Sequence, residues 1–316
     1  MGKTRIFFTT DIHGSEHCFR KFLNAAKFYK VNTLIVGGDI TGKMVVPILK
    51  NEDGSVQAQI MGKERIAKNE KEAAQLMNFI SSMGFYPYVT TREEMERLKD
   101  PQKLEELFRE LVINTLKNWV ALADERLKNS DVKCFIQLGN DDIPEVAEIL
   151  DRSECIVNPE EKVVWIDEHH EMISAGYANI TPWKCPRDLP EEELEKRIEK
   201  MASKVDNLEN AIFNFHCPPY GTELDLAPEI DENLTVIMKG GKISLTHVGS
   251  MAIRKAIEKY QPLISLHGHI HESRGIYRLG KTLCFNPGSE YTEGILRGVI
   301  IQLKEKGLAS YQLTSG

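Results

Sequence analysis

The stretch Arg5-Ile6-Phe7-Phe8-Thr9-Thr10-Asp11-Ile12-His13-Gly14 decides how the chain is read. Its apolar half predicts a short buried strand. Its polar half places a carboxylate, Asp11, and an imidazole, His13, where that strand ends. Ligands of open α/β sheets gather beyond the carboxyl ends of the strands. One oxygen and one nitrogen ligand suit a divalent transition metal. Alone the pattern is weak, because an Asp after a strand is often only a helix cap. Its weight depends on what other strands of the chain end in.

Working outward, Cys18, Phe19, Phe22, Leu23 and Ala26 recur at helical spacing, and Thr33-Leu34-Ile35-Val36 reads as the next strand. That is a β-α-β order, so a parallel pair is expected. The second strand ends in Gly37-Gly38-Asp39. Further on, Cys134–Leu138 runs into Gly139-Asn140-Asp141-Asp142, Ala211–Phe215 into His216, and Leu263–Leu266 into His267-Gly268-His269-Ile270-His271. Chance would have to supply five such strand endings independently. His267 reads as a core or supporting residue, and His169 and His170 as surface residues in a turn.

Between the second and third of these strands, residues 43–130 read as an insertion. Val45–Leu49 and Val56–Ile60 flank the turn Asn51-Glu52-Asp53-Gly54, which predicts a hairpin. Helices are expected over about 63–82 and 92–128, with a capping box at Thr91 and Glu94 and a fresh start at Pro101. A cap over the site and a buttress away from it are equal readings of this segment. The remainder predicts strands near 163–166 and 171–175, a helix over 191–208, a hairpin around Gly240-Gly241, a helix over 250–260 and four closing strands.

The 316 residues are 41% hydrophobic and 28% charged, the composition of a soluble globular protein with a sizeable core. No apolar run approaches a bilayer-spanning length. Met1-Gly2-Lys3-Thr4-Arg5 leads directly into a strand, so no signal peptide is expected. The net charge of −7 disfavours a nucleic-acid partner, and the six scattered cysteines without a C-x-x-C pair predict reduced thiols in the cytoplasm.

The ordered set Asp-x-His, Gly-Asp, Gly-Asn-Asp-Asp, His and Gly-His-x-His resembles the signature of the calcineurin-like metallophosphoesterases, D-x-H, G-D, G-N-H-D/E, H and G-H-x-H. It spans residues 11–271. Asn286-Pro287-Gly288-Ser289 adds a likeness to the small prokaryotic phosphoesterases of that family. The resemblance implies one α/β domain over 1–316, a four-layer α/β/β/α sandwich of two mixed sheets carrying the hairpin-plus-helical insertion. It implies two divalent metal ions, manganese first and iron, zinc, nickel or magnesium otherwise. Asp11, His13, Asp39 and His271 would hold one, and Asp39, Asn140, His216 and His269 the other. The implied reaction is hydrolysis of a small phosphomonoester or phosphodiester by a hydroxide between the metals, with Asp39, Asn140 and His216 as catalytic residues.

One position departs from the signature. Where many members carry a histidine after the ligating Asn, to contact phosphate or protonate the leaving group, this chain has Asp141. Asp141 and the amide of Asn140 are candidate substrate contacts, with Arg274 and Tyr220 beside them. His247 is the candidate replacement acid, and Asp142 is expected to orient a ligand or a loop. Two other classes remain open: a non-catalytic metal-binding scaffold of this fold, and a nuclease. Oligomeric state is open, and a homo-oligomer is one option.

Overall fold

The computed structural model describes residues 4–316. Two six-stranded sheets form its body. In the first, Arg5–Thr9, Thr33–Val36, Lys133–Ile136 and Ile156–Val157 lie parallel, and Arg297–Leu303 and Leu308–Ser315 complete it antiparallel. In the second, Glu171–Ala175, Ile212–Phe215, Ile264–Leu266 and Thr282–Asn286 run parallel, with Val163–Trp165 and Gly275–Leu279 as antiparallel edges. The fold is therefore mixed α/β, as the alternation of elements implied.

The strands are apolar on both faces, and alternation sends their side chains to different cores. Ile6, Phe8, Ile35 and Phe135 of the first sheet meet Met172, Ile212, Ile264, Leu266 and Phe285 of the second in one cluster. Phe7, Leu34, Val36, Cys134 and Ile136 face the other way, into a cluster with the helices Glu16–Phe28, Pro101–Leu127 and Glu145–Leu150. Ile173, Phe213, Phe215 and Cys284 pack on Glu191–Ala202 and Met251–Tyr260.

Packing divides residues 43–130 in two. Val45–Lys50, Val56–Ile60, Lys63–Ala67 and Tyr86–Thr90 form a separate four-stranded sheet. It has its own core of Val46, Ile48, Ala58, Ile60, Leu76 and Ile80, the last two from the helix Glu70–Ser82. The helix Pro101–Leu127 belongs to the body instead: Trp119 stacks on Phe19 with ring centroids 4.2 Å apart and its indole N–H donates to Glu16. Pro101 begins that helix behind an Asp100 cap, as expected. The expected helix over 63–82 starts later, because Lys63–Ala67 pairs antiparallel with Val56–Ile60. Tyr86–Thr90, parallel to Val45–Lys50, was not foreseen. The expected hairpins at Asn51–Gly54 and Gly240-Gly241 are present. Among the described residues no helix is long and apolar enough to cross a membrane.

Candidate metal centre

All five ligand-bearing segments leave parallel strands at the same edge, where the two sheets end side by side. The turn beyond Arg5–Thr9 is fastened to the one beyond Thr33–Val36 by N–H groups of Asp11, His13 and Gly14, which donate to the carbonyls of Gly38, Asp39 and Ile40. Close approach then excludes side chains at the motif glycines. A Cβ on Gly139 would stand 2.0 Å from Asp39 Oδ1, and one on Gly268 would stand 2.3 Å from Asp11 Oδ2. Asp11, His13, Asp39 and His269 all have positive φ, at 51°, 39°, 50° and 67°. Non-glycine residues adopt that region at a cost, and such residues gather where surrounding structure enforces them and chemistry uses them.

The side chains converge in two groups able to hold a cation, Asp11 with His13 and His271, and Asp39 with His216 and His269. His13 Nε2 lies 3.1 Å from His271 Nε2, and His271 Nε2 lies 3.4 Å from Asp11 Oδ1. Asp39 faces both ways: Oδ2 is 3.5 Å from His13 Nε2 and Oδ1 is 3.4 Å from His216 Nε2. A third group joins His13 and Asp39 with Asp141.

The partners of these groups fix which atoms remain available. His216 Nδ1 lies 3.0 Å from the Gly37 carbonyl, so the ring donates there and presents Nε2 as the acceptor. Asn140 Nδ2 donates to Asp188 Oδ1 at 2.8 Å, which leaves Asn140 Oδ1 buried with no hydrogen-bond partner. His216 Nε2 is buried and unpartnered too. Buried acceptors without donors are rare in folded proteins. Here they are of the oxygen and nitrogen types that divalent metals take, so the donor set fits the implied ions.

Electrostatics of the protein atoms alone agree with this crowding. Burial disfavours protonated His216, yet Asp39 and Asp11 outweigh it and push the ring up to about 9. Burial dominates at His13 and His269, which fall to about 3 and about 4. Burial raises Asp11 and Asp39, but the neighbouring histidines hold both carboxyls below the usual range. His13 and His269 are thus already neutral, the form a metal requires, whereas a bound ion would have to displace the proton that Asp39 and Asp11 favour on His216.

Asp142 is buried and accepts from the N–H groups of Ile40, Thr41 and Gly139 at 3.0, 2.8 and 2.8 Å. It ties the Asp39 loop to the Asn140 loop, as expected, and burial followed by the charge on Asp39 raises it to about 6. His267 gives its ring N–H to the Phe215 and Cys217 carbonyls and is a core residue. His170, expected at the surface, is buried, because Asp167 takes its Nδ1 at 2.7 Å.

Of the expected substrate contacts, Asp141 joins the ligand cluster, and the others are engaged elsewhere. The Asn140 amide nitrogen is engaged by Asp188 rather than open to a phosphate. His247 Nδ1 bonds buried Asp225 at 2.9 Å, and Tyr220 lies against the same imidazole with ring centroids 5.8 Å apart. The partners of these two are each other and Asp225, not the clustered ligands. Arg274 donates to the Thr314 carbonyl at 3.3 Å. Sequence reasoning missed Asp188, Tyr291, whose ring lies 4.8 Å from that of His13, and Lys43, whose Nζ lies 3.2 Å from Asp141 Oδ2. Of these only Lys43 had a local signal, four residues after the Gly-Asp motif. A cavity of about 970 Å³ opens at the far end of the strands, between Thr4, Lys133, Asp167 and His170, and holds none of the clustered ligands.

Comparison with known proteins follows the same lines. An uncharacterized protein of Methanocaldococcus jannaschii is 35% identical over 151 residues, a match that spans 47% of this chain and only 61% of that relative's length. A crystal structure from Thermus thermophilus superposes with a TM-score of 0.55 at 14% identity, covering 100% of this chain and 99% of the other. Another solved structure reaches 0.61 at 17% identity, with 99% of both chains covered. At such identities these structures speak for the fold alone. The profile of the calcineurin-like phosphoesterases matches residues 4–273, which include every clustered ligand, and the chain belongs to that family.

Proposed function

We propose that the chain is a two-metal phosphoesterase that hydrolyses a small phosphate monoester or diester. The observation that carries this reading is Asp39, whose two oxygens face His13 and His216 at 3.5 and 3.4 Å. A carboxylate shared in this way can hold two cations about 3.5–4 Å apart. Asp11, His13, Asp39 and His271 would hold one, and Asp39, Asn140, His216 and His269 the other. The ions would lower the pKa of bound water toward neutrality and neutralise charge on the phosphoryl oxygens.

The chain supplies the rest. The Gly37 carbonyl keeps the His216 proton on Nδ1, and Asp188 keeps the Asn140 oxygen turned inward. Asn140 adds a ligand without adding negative charge, which preserves the electrophilic character of the pair. Thr10 Oγ1 and the His269 N–H hold Asp11 at 2.7 and 3.0 Å, so its carboxylate is oriented before any ion arrives. Manganese is the first choice, with iron, zinc, nickel or magnesium as the other occupants of a mixed oxygen and nitrogen site. A small phosphorylated substrate suits a chain of net charge −7 better than a nucleic acid does.

The test is turnover of p-nitrophenyl phosphate and bis(p-nitrophenyl) phosphate by metal-stripped protein before and after Mn²⁺ is restored, with Asp39→Asn alongside. Restored metal should switch on hydrolysis, and Asp39→Asn should lose metal and at least about 100-fold in kcat, the scale of one lost electrostatic contributor. Two bound ions per chain with no turnover of either ester would favour the scaffold reading. Near-normal activity of Asp39→Asn would remove the shared carboxylate from the mechanism.

A further inference from the structure

Asp141 poses an electrostatic problem. It stands where its N–H donates to Asp39 Oδ1 at 3.0 Å, and its carboxylate joins His13 and Asp39 in one group. An anionic substrate approaching the candidate centre would meet this extra negative charge. Lys43 Nζ lies 3.2 Å from Asp141 Oδ2 and cancels it. Burial disfavours the charged ammonium, but Asp141 and then Asp39 outweigh it. Because Asp141 is itself grouped with His13 and Asp39, the lysine that pairs with it stands beside the ligand cluster.

The backbone that carries Lys43 is pinned. Asp142 holds Thr41 through its N–H at 2.8 Å and its hydroxyl at 2.5 Å. The Gly42 N–H donates to Tyr86 Oη at 2.7 Å. Gly42 also lies so close to the inserted sheet that a Cβ there would stand 2.3 Å from the Gly84 carbonyl oxygen. The side chain beyond this fixed loop is nearly half exposed, so its donors can reach an incoming ligand. Two other cations pair with carboxylates outside the ligand cluster, Arg187 with Glu160 and Arg297 with Glu290, and Arg274 donates to the Thr314 carbonyl, whereas the carboxylate that Lys43 meets belongs to the cluster.

We propose that Lys43, held by Asp141, is the phosphate-binding cation of this site and takes the contact that the expected histidine after Asn140 does not supply. The proposal rests on the phosphoesterase reading above. Lysine suits the role because its ammonium is a compact point charge with three donors on a flexible stem. A terminal phosphate carries more charge than a bridging diester, so Lys43 should favour monoesters and free phosphate over diesters.

The experiment compares wild type, Lys43→Met and Lys43→Arg, all loaded with Mn²⁺. Inorganic phosphate is titrated into each by calorimetry, and KM is measured for p-nitrophenyl phosphate and bis(p-nitrophenyl) phosphate. Metal content is read on the same samples. Lys43→Met should bind phosphate about tenfold more weakly, the loss of one charge-assisted hydrogen bond. It should raise KM for the monoester more than for the diester and keep its metal, and Lys43→Arg should recover most of the phosphate affinity. Unchanged phosphate affinity in Lys43→Met, or a wild type that binds no phosphate, would overturn the proposal. Phosphate binding is read without turnover. A protein that binds phosphate through Lys43 and hydrolyses neither ester would therefore refute the enzymatic reading and leave the lysine's role standing.

Discussion

At the scale of single residues, the first contacts of the candidate centre were readable in the sequence and their supports were not. Asp11, His13, Asp39, Asn140, His216, His269 and His271 each sit at a fixed offset from an apolar run, so strand ends announce them. Asp188 has no such offset. It opens a two-residue strand, Asp188–Leu189, too short to leave an apolar pattern, and reaches Asn140 only through the fold, 48 residues away in sequence. Its other oxygen accepts from Thr181 N, Thr181 Oγ1 and Cys185 N at 2.9, 2.6 and 3.0 Å, which locks the carboxylate in place. Partners of this kind fix the orientation of metal ligands and are worth about 10–100-fold in metal affinity. Asp188→Ala should therefore weaken one of two Mn²⁺ ions by about that factor, since the Asn140 amide becomes free to turn. Calorimetric titration of Mn²⁺ into stripped protein measures this directly. Two ions bound with wild-type affinity would mean that Asn140 is oriented by something other than Asp188.

At the scale of elements, the paired strands of the body were legible because each is a short apolar run closed by turn residues. The inserted sheet was less so. Lys63–Ala67 is an exposed edge with only Ala67 buried, and Lys, Glu, Arg and Ala are good helix formers, so local composition pointed away from a strand. Its pairing with Val56–Ile60 overrides that preference. Tyr86–Thr90 pairs with Val45–Lys50 across some 40 residues, a contact that no local pattern encodes. The same segment explains why the insertion matters to the site: Ser15 Oγ donates to the Ser82 carbonyl at 2.6 Å, and a Cβ on Gly84 would stand 2.2 Å from the His13 carbonyl oxygen. Gly54 provides a control, since it has the same φ of +83° with nothing within 4 Å of its would-be Cβ. Gly54→Ala should cost about 1 kcal/mol, the strain of a left-handed alanine. Gly84→Ala should cost about 1–3 kcal/mol more, because crowding at a packed contact is added to the same strain, and it should lower Mn²⁺ occupancy by shifting His13. Urea melts of both variants, with metal analysis, measure the difference. Equal costs would mean that the inserted sheet gives way freely and does not support the metal-bearing loop.

At the scale of the whole molecule, an order of layers is implied only by the family resemblance, because strands apolar on both faces do not say which side meets a helix. Once formed, the two sheets must be joined at both ends. Beyond the carboxyl ends of the strands, the candidate ligands themselves bring Asp11 and Asp39 of one sheet against His216 and His271 of the other. At the opposite end one link is Asp167, in the turn between Val163–Trp165 and Glu171–Ala175. It accepts from Thr4 Oγ1, just before the first strand, and from the His169 and His170 N–H groups at 2.8 and 2.9 Å. Burial raises this carboxyl, but the hydrogen bonds from the His170 ring, Thr4 and His169 outweigh burial and hold it well below the usual range. A carboxyl depressed in the folded state contributes stability that is complete above its unfolded pKa, near 4, and is lost as pH falls through the lower folded value. Asp167→Asn should therefore cost about 2 kcal/mol at pH 7, the scale of hydrogen bonds to a charged group. The gap to wild type should close progressively as pH drops below about 4, where the wild-type carboxyl also begins to take up a proton. Urea melts of metal-stripped wild type and variant at neutral and acid pH keep the metal centre out of the comparison. A gap that stays constant from pH 7 down to the acid limit would mean that the Asp167 charge contributes nothing and that the sheets are joined at this end by packing and by hydrogen bonds such as those from Lys133 to the Ile166 carbonyl and from Asn210 to the Glu305 carbonyl.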